Sequence, residues 1–330
     1  MEIRLENQLN PVADEVSALT AVIRPILAGI LYALRADVVA EVGGYDNVKL
    51  KMLPRLYRPG DGDCGICFEY AVHDAMIRGE STVLDRLDDA LKSYCKVKGQ
   101  DTSSILFGAE KTGANQLIDT AADLLTSDSV LMYGTRGRPV KLKRHIANIA
   151  AALRRPKARQ TLPSSINGLW KADLFVGFND SDRWVGTTVK INRSQLEGAR
   201  GLRIGVVPSR EGSSDRVRTD DKRNLVVCPL PHDGAFMEVF YQAWMVTQQF
   251  IAADAKLPKE VALPRPPERQ VARLLVDRRE FPVVDVIEAL QPLAQPHLLD
   301  TNTRDATVLL TRQAEIETGA IIAPQPNLAT

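Results

Sequence analysis

The chain has 330 residues, of which 45% are hydrophobic and 25% are charged. These proportions are typical of a globular protein that buries a core, and they exclude a fibrous or wholly disordered chain. The 42 basic and 41 acidic residues give a net charge of +1, which excludes a uniformly basic surface but leaves a local basic patch open. At about 100–200 residues per domain, the length predicts one large domain or two smaller ones.

The cysteines and the N-terminal region both indicate a cytoplasmic protein without a membrane partner. Four scattered cysteines are too few for a disulfide framework in a chain of this length. No signal-peptide pattern is present. The most apolar window, residues 18–34, is 17 residues long and contains Arg24 and Pro25. It therefore predicts a buried helix with a proline kink or break and not a membrane span, which needs about 20 apolar residues.

Hydrophobic spacing predicts a helical N-terminal third. The predicted helices cover residues 12–34, 71–77 and 83–94. Residues 53–65 hold two prolines and three glycines, which predicts a loop. A further helix is expected over residues 114–125.

An acid-free stretch covers residues 129–172. Because a quarter of the chain is charged, such a stretch is improbable by chance. Its basic residues are Arg136, Arg138, Lys141, Lys143, Arg144, Arg154, Arg155, Lys157, Arg159 and Lys171. They predict a surface that follows a nucleic-acid phosphate backbone. A solvated helix face near residues 141–155 explains the pattern equally well.

The hydrophobic period then changes to that of strands. Short apolar segments rich in Val, Thr and aromatic residues predict strands at 172–178, 184–192, 202–207 and 224–229. Turn residues at 179–182 join the first two strands into a hairpin.

The C-terminal third returns to helical spacing. Residues 236–252 predict a long helix, and a proline-rich linker follows at 257–267. One helix near residues 268–290 and a strand pair near 306–324 complete the chain.

These elements predict three regions. Residues 1–60 form a helical N-terminal region, and residues 61–256 form a core with a helical basic insertion at about 95–168. Residues 257–330 form a linker and a small extension.

The hairpin brings two charged residues together. If Phe178 faces Val185 across the turn, Asp173 faces Lys190 directly, and both side chains lie on one sheet face. An ordinary cross-strand ion pair is the simplest interpretation. Phosphodiester hydrolysis uses the same residue types, because a carboxylate holds Mg²⁺ while a lysine stabilises developing negative charge.

A third charged residue, Glu69, lies on a predicted helix over residues 65–76. A glutamate near a helix start also serves the helix dipole, which is the commoner role.

Together these residues resemble the PD-(D/E)XK nuclease superfamily, which has the restriction-endonuclease-like fold. The resemblance is carried by Glu69 in CFEYAVHDA, Asp173 in LWKADLFVG and Lys190 in WVGTTVKIN. It implies an α/β (α+β) mixed-sheet core flanked by helices, with catalytic roles for all three residues. It also implies that Asp173, Glu69 and the Val189 carbonyl bind Mg²⁺ or Mn²⁺.

Two features depart from the family pattern. The acidic position two residues before the lysine is Thr188, and Ala172 stands where a proline is usual. Some members of the family place the missing carboxylate on the following helix, which makes Glu197 a candidate.

The expected function is therefore a metal-dependent nuclease that hydrolyses DNA phosphodiester bonds, with a prokaryotic defence or restriction system as a setting by family analogy. Its partners would be nucleic acid, with a homodimer or a partner ATPase or regulator left open. The alternative is a non-catalytic nucleic-acid-binding protein on the same fold. A third hypothesis is a papain-like cysteine peptidase, because DCGICFEY places Cys67 near a helix start with His232 as the candidate base.

Overall fold

The structure is a computed structural model. It describes residues 11–58, 63–106, 123–132, 140–143, 145, 172–196, 198, 201–232, 235–259 and 262–294. The predictions at 306–324 and over most of 114–125 lie outside these residues. The α-helices in the described ranges are α1 (Pro11–Ala33), α2 (Ala36–Glu41), α3 (Leu53–Leu56), α4 (Cys64–Arg78), α5 (Ser81–Asp89), α6 (Ala235–Ala252), α7 (Pro266–Asp277) and α8 (Val283–Leu290).

The strands form one mixed sheet in the described part of the chain. They are β1 (Thr102–Leu106), β2 (Val130–Leu131), β3 (Val140–Lys141), β4 (Leu174–Phe178), β5 (Arg183–Val189), β6 (Arg203–Pro208), β7 (Arg218–Asp220) and β8 (Leu225–Leu230). The order across the sheet is β1-β4-β5-β6-β8-β7, with β2 beside β5 and β3 beside β2. Strands β5, β6 and β8 are mutually parallel, so their carboxyl ends share one edge. The observed fold is thus mixed α/β with flanking helices.

Helix α1 is the centre of the helical layer. It packs against α4 and α6 of the predicted core and against α7 and α8 of the predicted C-terminal extension, so it joins all three predicted regions. Its segment Glu15–Ala33 is apolar and long enough to cross a membrane, with mean hydropathy 1.7, but 72% of it is buried within the protein. This burial agrees with the prediction of a core helix, and Pro25 lies inside the uninterrupted helix.

Three local expectations differ from the structure. The region expected to be a helical insertion begins with strand β1, whose short TSSIL sequence carries too few β-branched residues to signal a strand. The predicted loop at 53–65 contains the short helix α3. The helix expected near 268–290 is interrupted between α7 and α8, where Pro282 precedes the second helix.

The hairpin register also differs from the prediction, by two residues. Val176, not Phe178, faces Val185, and Gly177 faces Trp184. A Cβ at position 177 would lie 2.8 Å from the Arg183 carbonyl oxygen and 3.0 Å from the Trp184 ring. Glycine therefore permits this close pairing, and the turn between the strands is correspondingly shorter than expected.

A buried ion-pair network lies at the C-terminal end of α4. The guanidinium of Arg78 lies 2.5 Å from Asp74 and 3.1 Å from Glu80, and the Glu80 side chain is 1% exposed. Gly79 adopts a left-handed conformation (φ 82°) that ends the helix and brings Glu80 back toward Arg78.

We expect Arg78→Met to lower the free energy of unfolding by about 3–5 kcal/mol, because it leaves a buried carboxylate without this guanidinium. Urea unfolding followed by circular dichroism measures the loss. Lys51→Ala, which breaks an exposed pair with Glu280, is the control and should cost about 1 kcal/mol or less. Equal losses in the two variants would contradict the prediction.

Candidate functional site

Three charged side chains converge at the end of the β4–β5 hairpin. The ammonium of Lys190 lies 2.8 Å from Glu69 Oε1 and 2.9 Å from Asp173 Oδ2. We call these three residues the acid–lysine cluster. The side chains are 13% exposed at Glu69, 17% at Asp173 and 28% at Lys190, so the cluster is partly buried yet open to solvent.

Asp173 directly precedes β4, and its carboxylate accepts a hydrogen bond from the backbone of β5. The backbone N–H of Val189 donates to Asp173 Oδ2 at 2.8 Å, while the Asp173 N–H donates to the Thr187 carbonyl. The same oxygen accepts from the Lys190 ammonium. Asp173 is therefore held by backbone geometry as well as by charge.

Lys190 directly follows β5. Its backbone N–H donates to the Val206 carbonyl of β6 at 2.9 Å, which continues the parallel pairing beyond the strand. The observed pairing ends at Leu174 opposite Thr187, so Lys190 is not directly opposite Asp173 as predicted. The Asp173 N–H also donates to the Thr187 carbonyl, and the Lys190 side chain reaches the Asp173 carboxylate from just beyond β5.

Glu69 lies in the second turn of α4, beyond the positions that mainly serve the helix dipole. Asp63 caps this helix by accepting the Ile66 N–H at 3.0 Å. The neighbouring Phe68 is fully buried, with its ring 5.2 Å from that of Phe240. These contacts fix the rotation of α4 that directs Glu69 toward the hairpin.

His73, one turn after Glu69, forms a hydrogen bond that connects α4 to the sheet. Its Nδ1 lies 3.0 Å from Ser104 Oγ on β1. Burial lowers the pKa of His73 to about 4, so the imidazole is neutral at pH 7. Sequence reasoning missed this contact, because strand β1 itself gave no clear signal.

Two opposing effects act on the pKa of Lys190. Burial lowers its pKa, but the charges and hydrogen bonds of Glu69 and Asp173 outweigh burial and hold the pKa above 10.5. The ammonium is thus charged at neutral pH, and with two carboxylates the cluster has a formal charge of −1.

Thr188 occupies the position where the family pattern has an acidic residue. It is 2% exposed, and no hydrogen-bond partner for its hydroxyl exists among the described residues. The carboxylates of the cluster therefore come from Glu69 and Asp173, while Glu197 lies outside the residues described. No group of three or more His, Cys, Asp or Glu side chains in the described ranges is arranged to hold a metal ion.

Two residues of the predicted basic surface, Lys141 and Lys143, lie within the described part of the chain. Lys141 on β3 lies 3.4 Å from Asp128, and the Lys143 ammonium donates to the Leu125 carbonyl. Both are exposed. The others lie outside the described residues: Arg136, Arg138, Arg144, Arg154, Arg155, Lys157, Arg159 and Lys171.

The environment of Cys67 argues against the peptidase hypothesis. Its side chain is fully buried between α4 and α1, with Sγ 3.6 Å from the Ile26 carbonyl oxygen. Burial raises the pKa of this thiol well above 9, which opposes formation of the thiolate nucleophile. His232 is exposed just beyond β8, and its backbone N–H donates to the Ser209 hydroxyl.

Comparison with protein-family models, curated proteins and solved structures finds no match for this chain.

The raised pKa of Lys190 predicts a pH-dependent contribution to stability. Because the folded-state pKa exceeds the ordinary value of 10.5, the contribution is complete below that pH and is lost as pH rises through the folded-state value. Lys190→Met should therefore be less stable than the wild type by about 2 kcal/mol at pH 7.5, and the difference should shrink above pH 10.5.

Urea unfolding of both proteins between pH 7 and pH 11.5 tests this expectation. Lys98→Met, at an exposed position, is the control and should change stability by less than about 0.5 kcal/mol. A wild-type advantage that stays constant across the whole range would refute the assigned role of Lys190.

Proposed function

We propose that the protein is a metal-dependent nuclease that hydrolyses phosphodiester bonds of DNA. The observation that carries the proposal is the contact of one lysine with two carboxylates from separate elements, α4 and the start of β4. An isolated cross-strand ion pair does not require the third residue, Glu69. An acid–acid–lysine set at solvent-accessible strand ends provides the residue types for phosphoryl chemistry.

The order of the elements also supports this proposal. An acid-bearing helix is followed by β1, by the hairpin β4–β5 and by the parallel strand β6. This order agrees with the PD-(D/E)XK resemblance, in which a helix with a glutamate is followed by an Asp-bearing strand, a strand that ends in x-Lys, a helix and another strand. The departure lies after β5, where the short 3₁₀ turn Arg193–Gln195 stands within the segment that the family occupies with a helix.

The donors in the cluster fit a hard cation. Mg²⁺ is commonly held by one or two carboxylates, with water and substrate phosphate as its other ligands. Glu69 and Asp173 supply two carboxylates, and the Val189 carbonyl is the proposed backbone ligand. A Mg²⁺ or Mn²⁺ ion bound there would neutralise phosphate oxygens and lower the pKa of an attacking water.

The chain's own residues have separable roles in this proposal. Asp173 is the more rigid ligand, because the Val189 N–H fixes it. Glu69 is carried by a helix that the His73–Ser104 contact attaches to the sheet. The Lys190 ammonium contacts both carboxylates and compensates one of their two negative charges. It is also the donor proposed for a phosphate oxygen of the substrate.

The setting follows from the same proposal. All four cysteines are free thiols, which is consistent with a reducing cytoplasm. A defence or restriction system, with a partner ATPase, a regulator or a second copy, remains part of the proposal by family analogy.

A non-catalytic nucleic-acid-binding protein is the second candidate, and Thr188 favours it. A hydroxyl in the acidic position gives the cluster one carboxylate fewer than the family pattern has. In this alternative, the acid–lysine cluster is a structural ion-pair network that stabilises the packing of α4 against the hairpin.

Cleavage assays separate the two candidates. For a nuclease, purified wild type should nick plasmid or cut single-stranded DNA with Mg²⁺ or Mn²⁺ and not with EDTA. Asp173→Asn and Lys190→Met should each lower the rate by at least about 100-fold, because each removes charge needed near the reacting phosphate. Lys98→Met is the control and should cleave at the wild-type rate. Metal-dependent cleavage that survives in both cluster variants would show that the activity arises elsewhere.

Thr188→Asp tests whether this position limits metal binding. The new carboxylate is buried and repels its neighbours without a cation, but it adds a ligand when Mg²⁺ is present. We expect its melting temperature to rise by several degrees between EDTA and 10 mM Mg²⁺, and by more than that of the wild type.

Thr188→Asn is the matched control, because it adds similar volume without charge. A Mg²⁺-dependent shift that is no larger in Thr188→Asp than in Thr188→Asn would contradict a metal site at the cluster.

A further inference from the structure

We propose that four arginines beside the acid–lysine cluster bind the phosphate backbone of a nucleic-acid strand. The arginine surface consists of Arg193, Arg210, Arg218 and Arg223. It was not among the predicted nucleic-acid-binding residues. The inference rests on the proposed function, because it identifies the part of the chain that would hold the substrate of that function.

Arg193, the first of these arginines, lies on the connection between β5 and β6. Leu196, on this connection, forms a buried cluster with Val207, Leu225 and Val227. A Cβ at Gly205 would lie 2.9 Å from the Leu196 side chain, so glycine allows the connection to lie close to β6. Arg193 therefore lies near β6 and β8, and it follows Lys190 by only three residues.

The other three arginines lie on β7, before β8 and after β6. Arg218 on β7 faces Val227, a member of the Leu196 cluster. Arg223 lies in the turn before β8, and a Cβ at Gly198 would lie 2.8 Å from its carbonyl oxygen. Arg210 is the second residue beyond β6.

Like charges dominate this surface. Among the described residues, Arg193, Arg210 and Arg218 have no carboxylate within 4 Å, while Arg223 lies 3.6 Å from Asp220. Partial burial, together with the charges of Arg218, Arg210 and Arg223, lowers the pKa of Arg193. Arginines that repel one another gain stability from a bound anion, which replaces the repulsion with charge-assisted hydrogen bonds.

Acidic residues do not cancel this charge. Asp215, in the loop after β6, is engaged by Arg86 of α5 at 2.7 Å. Exposed Glu211 is the neighbour of Arg210 in the chain. Asp220 and Asp221 also lie beside Arg223. Lys222, between Asp221 and Arg223, adds a positive charge, so the basic residues still outnumber the nearby carboxylates.

A polar pocket of about 530 Å³ lies beside Arg210, at the carboxyl ends of β6 and β8. Its lining consists of Ser209, Arg210, Glu211, Gly212, Ser213, Asp215 and His232. Lys190 lies at the same edge, beside β6. With strands about 4.8 Å apart and a rise of about 3.3 Å per residue, the backbones of Lys190 and Ser209 are roughly 8 Å apart.

The extent of the surface favours a polymer over a single phosphate. Arg210 lies beyond the end of β6 and Arg223 lies before the start of β8, so the two are separated by roughly the length of a strand, about 20 Å. A nucleic-acid strand carries one phosphate per about 3.4 Å of helix axis and so presents several phosphates over that length. Arginine is well suited to these contacts because its planar guanidinium binds phosphate oxygens in pairs.

Binding in EDTA tests the inference without cleavage. Fluorescence anisotropy of labelled 30-nucleotide DNA and RNA strands is measured for the full chain between 50 and 200 mM NaCl. Relative to the wild type, Arg193→Gln/Arg210→Gln/Arg218→Gln should bind at least about tenfold more weakly. The slope of log K against log salt should decrease by about 2, because each phosphate contact to a single strand contributes about 0.7.

Lys256→Gln/Lys259→Gln/Arg273→Gln is the matched control. It removes the same charge from exposed positions on or near the helices α6 and α7, and it should retain the wild-type affinity and slope. The single variant Arg210→Gln, in an exposed loop, should lower the slope by about 0.7, and it serves as the test if the triple variant does not fold.

Failure of this inference is distinguishable from failure of the proposed function. No binding by the wild type, equal binding by the arginine variants, or equal loss in the control would overturn the inference. If binding depends on the arginines but Mg²⁺ gives no cleavage, the inference stands and the nuclease proposal is wrong.

Discussion

The arrangement of this protein depends on one lysine that compensates two carboxylates. Glu69 and Asp173 are separated by 104 residues in the chain, and both are largely buried near one ammonium. Two partly buried carboxylates side by side repel strongly unless a cation lies between them. Lys190 supplies that cation, so the helix α4 and the hairpin β4–β5 are stabilised in one relative position. The same ammonium leaves a net negative charge where a metal ion is proposed.

Asp173 and Lys190 of the acid–lysine cluster lie at strand ends rather than in strand interiors. Asp173 and Lys190 flank regular pairing, and there the Asp173 carboxylate accepts the Val189 N–H. Side chains at such positions combine a rigid backbone with access to solvent. Because β5, β6 and β8 are parallel, the polar pocket beyond β6 and β8 opens at the edge where Lys190 lies. A substrate strand along this edge would meet Arg210 and the cluster together, while Arg223 lies toward the opposite ends of these strands.

Thr188 is the residue on which the choice between catalysis and binding depends. It precedes Val189, whose N–H donates to the Asp173 carboxylate, and its own hydroxyl is buried without a partner among the described residues. A cluster with two carboxylates is sufficient for Mg²⁺ in many proteins, since water and phosphate complete the coordination. The nuclease proposal and the binding alternative therefore share one fold and one surface, and they differ in the strength of a single ion site.

The sequence by itself determined the mixed α/β class, the hairpin, helix α4 and the candidate set of Glu69, Asp173 and Lys190. These features follow from local periodicity, turn residues and alternation of faces, which neighbouring residues specify. The register of the hairpin, the position of β1 and the approach of Glu69 were decided only by the tertiary structure. The arginine surface was also invisible in the chain, because its members are separated in sequence and meet only after β6, β7 and β8 pair. Long-range contacts depend on how the whole core packs, and no local window contains that information.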